Sequence, residues 1–158
     1  MRVARIVSTL PLIAILLAAP RLAHAQDEPA LDDPVVAKLH ERVKRFLSGV
    51  AGGTESDAFA DLLLGSQLAQ QETAVRALVD RSKEIAQRYG AHRESEQIGA
   101  KRIGKDLVLL KYLFKCEKFP VIWYIAFYRD FNRKANAGDD NWVVVAVRFD
   151  TQIEALFD

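Results

Sequence analysis

The chain has 158 residues, and its 22 basic and 21 acidic side chains give a formal net charge of +1. That balance excludes a strongly basic protein that binds nucleic acid through its charge. Cys116 is the only cysteine, which excludes an intramolecular disulfide, so the core must stabilise the fold. Free cysteine is among the most buried residue types, and we predict a buried, inert thiol. An intermolecular bridge and a reactive thiol are the alternatives.

The first 25 residues have the pattern of a secretory signal peptide. Arg2 and Arg5 form a basic start, an uncharged apolar run follows, and Ala23 and Ala25 supply the small residues of a cleavage site. The apolar run is shorter than the roughly 20 residues that span a bilayer, which disfavours a membrane anchor. Cleavage would leave 133 of the 158 residues and remove three arginines, which changes the net charge from +1 to −2. We expect a periplasmic or secreted protein without a membrane span after cleavage.

The first half of the mature chain has a helical pattern. Residues 26–33 are acidic and lack an apolar period, so they are predicted to be a flexible lead-in. Asp33 followed by Pro34 is typical of a helix start, and Gly90 is a typical helix end. The predicted helices run from Pro34 to about Val50, from a cap at Thr54, Ser56 or Asp57 to Leu64, and from about Ser66 or Gln70 to Tyr89.

After Gly90 the apolar period changes from that of a helix to the two-residue period of a strand. Four strands are predicted, in the segments "ESEQIGAKRI", "LVLLKYLFKCE", "VIWYIAFYR" and "WVVVAVRF". Short connections favour an antiparallel meander. Helices followed by strands indicate an α+β fold, with N-terminal helices packed on one face of a curved four-stranded antiparallel sheet. We assign residues 34–158 to this single domain.

The third and fourth strands are apolar on both of their faces. Residues Val121 to Tyr128 are all apolar or aromatic, and Trp142 to Val147 are all apolar. Helices can cover only one face of the sheet, and a large exposed apolar patch is unusual for a monomer. We therefore expect a homodimer that forms through the sheet, while the choice between Trp123 and Tyr124 as the side chain that points at the partner stays open. The candidate interface residues are Trp123, Ile125, Phe127, Trp142 and Val144.

Motifs of metal binding and nucleophilic catalysis are absent from the sequence. His40 and His92 have no paired ligand spacing, and there is no G-x-S-x-G segment. We predict no metal and no cofactor, and assign no catalytic residue. Polar groups within the apolar strands are the candidate ligand-pocket residues: Tyr112, Tyr124, Tyr128, Asp130 and Arg148.

These five residues allow two interpretations. A tyrosine beside an aspartate in an apolar pocket could polarise a carbonyl and transfer a proton, because desolvation raises the pKa of the carboxyl group. Alternatively, the tyrosines are wall residues with their hydroxyls at the rim. Asp130 and Arg148 would then form a pair at a strand end or an interface.

The chain resembles the NTF2-like (cystatin-like α+β) superfamily in pattern and order. The resemblance is carried by "LLLGSQLAQQETAVRALVDRSKEIAQRYG", "KRIGKDLVLLKYLFKCEKFPVIWYIAFYR" and "WVVVAVRFD". It implies a strongly curved antiparallel sheet around helices, a pocket between them, and dimerisation through the outer sheet face. Members include isomerases, dehydratases and cyclases that act on apolar small molecules, and others only bind. We expect a binding or interaction module; an isomerase or lyase-type enzyme and a carrier of an apolar small molecule are the alternatives.

Overall fold

A computed structural model describes residues 33–132 and 141–153 of the chain. The predicted signal peptide and residues 26–32 of the lead-in lie outside the described residues. The predicted order of three helices and four strands is confirmed, with a short 3₁₀ helix at Gln67–Gln70 before the third α-helix. The elements are α1 Pro34–Ala51, α2 Glu55–Leu62, α3 Glu72–Tyr89, β1 His92–Ile103, β2 Leu107–Cys116, β3 Val121–Arg129 and β4 Trp142–Asp150.

The first helix begins and packs as its sequence predicts. The Asp33 carboxylate accepts a hydrogen bond from the Val35 backbone N–H at 2.9 Å, and Pro34 occupies the first turn. This cap satisfies one of the N–H groups that have no partner within the helix. Asp33 also forms a salt bridge with Arg102 of β1, so the start of α1 is tied to the sheet. The buried stripe of α1 consists of Val36, Leu39, Val43, Phe46, Leu47 and Val50.

The four strands form one open antiparallel sheet in the order β1-β2-β3-β4. Its inner face packs against the helices, and we call the opposite face the outer face. Side chains alternate between the two faces along each strand, so the register aligns them in rows across the sheet. One inner row consists of Gln97, Tyr112, Trp123 and Phe149, and one outer row consists of Gly99, Lys111, Tyr124 and Arg148.

A β-bulge in β4 changes which parity of that strand faces the helices. Ala126 pairs with Ala146 and Phe127 pairs with Val144, which leaves Val145 as an extra residue. A bulge shifts the alternation by one position. Inward residues therefore have even numbers before the bulge and odd numbers after it, namely Trp142 and Val144, then Val147 and Phe149.

The predicted interface residues Trp123, Ile125, Phe127, Trp142 and Val144 are part of the core. Each is at most 4% exposed. The Trp123 ring lies edge-on to Phe46 of α1, with 5.2 Å between ring centroids, and 6.3 Å from Phe59 of α2. The helices need these residues to bury their own apolar stripes. This corrects the sequence-based assignment, because Trp123 lies on the inner face and Tyr124 on the outer face.

Candidate ligand groove on the outer sheet face

A groove of about 420 Å³ crosses all four strands on the outer face; we call it the outer groove. The depression at its centre forms because small residues face each other across the strands: Ala126 of β3 pairs with Ala146 of β4. The adjacent row carries longer polar side chains. The groove is lined by Ile98, Gly99, Ala100, Lys101, Leu109, Leu110, Lys111, Tyr124, Ile125, Ala126, Ala146 and Arg148.

The Tyr124 ring lies between two cationic side chains. Lys111 pairs with it from β2 and Arg148 from β4. The Lys111 Nζ is 5.5 Å from the ring centroid, and the Arg148 Cζ is 4.2 Å from it. At exposed sites each such cation–π contact contributes about 0.5–1 kcal/mol. The two contacts hold both cations over a flat aromatic surface.

Burial raises the pKa of the Tyr124 hydroxyl, with the Asp150 carboxylate adding to the rise and the Arg148 guanidinium opposing it. The phenol therefore stays protonated at neutral pH. It can donate a hydrogen bond beside the two cations. Together these groups can hold an anion, and the neighbouring alanines and Leu109 supply an apolar surface.

The lining of the outer groove is basic. Its described residues include Lys101, Lys111 and Arg148 and no Asp or Glu. Lys115 lies on the same face of β2 but is paired with acidic side chains. Its Nζ lies 3.0 Å from the Glu94 carboxylate and 2.7 Å from the Glu96 carboxylate. Among the residues that the structure describes, no carboxylate lies within salt-bridge distance of Lys111 or Arg148.

Tyr112 lies in the interior, away from the outer groove. Its hydroxyl oxygen is 2.8 Å from His40 Nδ1 of α1 and 3.4 Å from Gln97 Oε1 of β1. Burial raises the pKa of Tyr112, and the Glu41 carboxylate adds to the rise. The phenol is a neutral polar link between α1 and the sheet, so Tyr112 supports the core.

Tyr128 and Asp130 line a second groove, of about 640 Å³, at the end of β3. The Asp130 carboxylate accepts a hydrogen bond from the Asn132 backbone N–H at 2.9 Å. The Asp130 backbone N–H donates to the Asn141 carbonyl, just before β4 begins. Arg148 faces Tyr124 near the other end of β4. The register therefore separates Asp130 from Arg148 within the chain, so the predicted pair at a strand end is not formed, while a pair across an interface stays a prediction.

Sequence reasoning did not select two residues that the structure makes important. Lys111 was not among the candidate residues, and its place beside Tyr124 follows from the strand register. Arg42 donates hydrogen bonds to the carbonyls of Trp142 at 2.8 Å and Leu62 at 2.6 Å, which joins α1 to the sheet and to α2. Its position beside the apolar stripe of α1 was the available signal.

His92 and Cys116 face each other across β1 and β2. The His92 Nε2 lies 2.9 Å from the Ser95 Oγ, and burial lowers the pKa of the imidazole. Burial raises the pKa of the half-buried Cys116 thiol. A raised thiol pKa disfavours the reactive thiolate. In residues 33–132 and 141–153, no group of three or more His, Cys, Asp or Glu could hold a metal ion.

Comparison with known proteins adds no assignment. The chain matches no known family model, no curated protein and no solved structure. Within the described part of the chain, no helix is both long enough and apolar enough to cross a membrane.

Proposed function

We propose that this chain is an exported, NTF2-like binding module that acts through the outer face of its sheet, where a second copy of the chain associates. The observation that carries the proposal is the exposed apolar surface of that face. Ile103 is 46% exposed, Leu109 36%, Tyr128 43% and Val145 42%. They come from all four strands. Exposed apolar surface that spans a sheet is typical of an interaction site.

The charges of the outer face favour a second copy as the partner. One outer row has Glu96 and Asp150 at its ends, and the next row has Lys111 and Arg148. A twofold axis parallel to these rows would place the acidic row of one copy against a basic row of the other. A standard interface buries about 800 Å² on each partner, which is more than four side chains expose. The dimer would therefore cover most of the outer face, including the outer groove.

Two features support export and an NTF2-like domain. The N-terminal basic, apolar and small-residue segments support export. Helices on one face of an open four-stranded antiparallel sheet support an NTF2-like domain. Export is tested by the N-terminal sequence of the protein recovered outside the cytoplasm, where we expect Gln26 as the first residue. Recovery of the intact leader in the cytoplasm would contradict it.

Sedimentation of the mature chain tests the dimer. We expect a dimer at tens of micromolar and a monomer for the double variant Ile103→Ser/Val145→Ser. Each substitution removes about 1 kcal/mol of apolar burial and counts twice in a symmetric dimer, so association weakens by about a thousandfold.

Leu64→Ser is the matched control, because Leu64 is 64% exposed and lies in the helical half of the domain, after α2. It should remain dimeric. A wild-type protein that stays monomeric at 100 micromolar, or a Leu64 variant that dissociates as readily as the double variant, would refute dimerisation through the sheet.

Of the two alternatives, ligand binding has more support than catalysis. The outer groove brings together two predicted pocket residues, Tyr124 and Arg148. Catalysis by a tyrosine and an aspartate needs an apolar enclosure. The Tyr128 and Asp130 pair lies in a groove where the tyrosine is open to water.

A further inference from the structure

We propose that the outer groove is a binding site for a small organic anion with a flat apolar body, the class of an aryl carboxylate. Lys111 and Arg148 would bind the anionic group, and the Tyr124 hydroxyl would donate a hydrogen bond to it. The apolar body would lie over Ala126 and Ala146. The inference rests on the proposed function only in taking the outer face as a binding surface.

The shape of the outer groove fits such a ligand. Two adjacent rows divide its surface by chemistry. One row has the polar ends of Lys111, Tyr124 and Arg148, and the next has Leu109, Ala126 and Ala146 in register. A ligand that is anionic at one end and apolar at the other would match both rows at once. The volume of about 420 Å³ lies in the range of small-molecule pockets, about 300–1,000 Å³.

Electrostatics favour an anion over a neutral or cationic ligand. Within the described ranges, the groove is lined by basic residues without a carboxylate, and Lys111 and Arg148 contact the Tyr124 ring rather than an acid. Within one copy of the chain, an incoming carboxylate therefore does not have to displace an ion pair of Lys111 or Arg148. A guanidinium can bind a carboxylate through two parallel hydrogen bonds.

The stacking of Arg148 on Tyr124 preorganises the guanidinium for ligand binding. The Arg148 Cζ lies 4.2 Å from the ring centroid, so the ring supports one face of the guanidinium. An arginine that is held in place before binding loses less side-chain entropy when the ligand arrives. Tyr124 is thus both a donor and a support for the main anion-binding group.

The test uses the Ile103→Ser/Val145→Ser double variant as background, so that self-association cannot hide the groove. The probe is 2-naphthoate, followed by titration calorimetry and by amide chemical shifts. Its neutral analogue is 2-naphthylmethanol, and inorganic sulfate serves as the anion without an apolar body. We expect 2-naphthoate to bind at least ten times more tightly than either comparator. The largest shifts should lie at Gly99, Lys111, Tyr124, Ala146 and Arg148.

Charge variants distinguish a specific binding site in the outer groove from general electrostatic attraction to the outer face. Arg148→Gln and Lys111→Gln should each weaken 2-naphthoate binding about tenfold. Arg148→Lys should weaken it less, since the charge stays and the paired donors are lost. Lys115→Gln is the matched control, because it removes the same charge from the same face, where two glutamates already neutralise it. It should leave the affinity within about twofold.

Three results would overturn the inference. These are equal binding of 2-naphthoate and 2-naphthylmethanol, a Lys115→Gln loss as large as that of Arg148→Gln, and chemical shifts confined to another part of the domain. Failure of the dimer is a separate result, because sedimentation measures it on the ligand-free wild-type protein. A monomeric wild type that binds 2-naphthoate in the groove would refute the dimer and support the site.

Discussion

Replacing Trp123 with alanine measures whether the third strand directs its tryptophan at the helices or at a partner. The side chain is fully buried, and its ring lies 5.2 Å from Phe46, 6.3 Å from Phe59 and 4.5 Å from Phe149, between ring centroids. Truncation would leave a cavity among three aromatic rings. Such large-to-small changes cost about 3–5 kcal/mol, a large part of the roughly 5–15 kcal/mol that stabilises a domain.

A second substitution, Trp123→Phe, compares the packing of the indole ring with the cost of its unpaired N–H group. The Trp123 Nε1 is buried with no hydrogen-bond partner among the described residues. Trp123→Phe would lose packing worth roughly 1.6 kcal/mol for two carbon-sized groups. It would also remove a buried unpaired donor, which relieves about 1–3 kcal/mol. The two effects nearly cancel, so we expect the phenylalanine variant to lie within about 1 kcal/mol of wild type.

Urea denaturation followed by circular dichroism, at two protein concentrations twentyfold apart, is the assay. With a slope of about 2 kcal/mol per molar urea, a loss of 4 kcal/mol lowers the midpoint by about 2 M. A core residue gives the same free-energy loss at both concentrations. Val145→Ala, on the outer face of β4, should cost no more than about 0.5 kcal/mol in the dilute sample. A Trp123→Ala loss below about 1 kcal/mol, or one seen only in the concentrated sample, would refute the core assignment.

Three further predictions concern polar groups. Because burial lowers the pKa of His92 below its ordinary 6.5, the folded state favours the neutral ring; stability should be full above about pH 6.5 and fall as the pH drops towards the folded-state pKa. Urea midpoints at pH 7.5 and pH 5 should therefore differ less in His92→Gln than in wild type, and an unchanged difference would contradict this. Asp33→Ala should cost about 1 kcal/mol at pH 7 through loss of the helix cap. Hydrogen bonding to an arginine lowers the pKa of Asp33 below 3.8, so its contribution is lost as the pH falls through the folded-state pKa, and the gap between variant and wild type in urea titrations should narrow as the pH is lowered below 3.8; a constant gap would exclude the charge as the cause. Tyr112→Phe should cost about 1–2 kcal/mol of unfolding free energy, because it leaves His40 Nδ1 without the hydroxyl 2.8 Å away. Tyr124→Phe is the control, and an equal loss in both variants would argue against this link.

Local patterns in the chain predicted the elements well. The Asp33-Pro34 pair marked the start of α1, and Gly90, with a φ of 85°, marks the end of α3. In β2 apolar residues recur at every second position from Val108, and Val108 and Leu110 are both buried on the core face. These features depend on residues that are close in sequence, so the chain itself carries the information.

The two faces of β3 and β4 could not be assigned in the same way. An apolar run gives no alternation to read, and the bulge at Val145 depends on how β4 pairs with Ala126 and Phe127. The interface prediction for Trp123 therefore selected the core parity. The helices that cover this parity come from the other half of the chain.

For the candidate site too, the sequence identified individual residues, and the fold decided which of them are neighbours. Tyr124 and Arg148 were both selected from the sequence as polar groups in apolar strands, and they are cross-strand neighbours in the fold. Their grouping with Tyr112 and Asp130 did not hold, because those residues lie in the core and at a strand end.

The sequence by itself determined the helices, the strands, their order and the apolar character of β3 and β4, because periodicity and capping act over a few residues. Only the tertiary structure decided which parity faces the helices and which residues meet on the outer face. Strand register brings together residues that are far apart in the chain, such as Lys111 and Arg148 on either side of Tyr124. A shift of one residue in pairing would turn each of them to the opposite face, so the outer groove exists only once the sheet has formed.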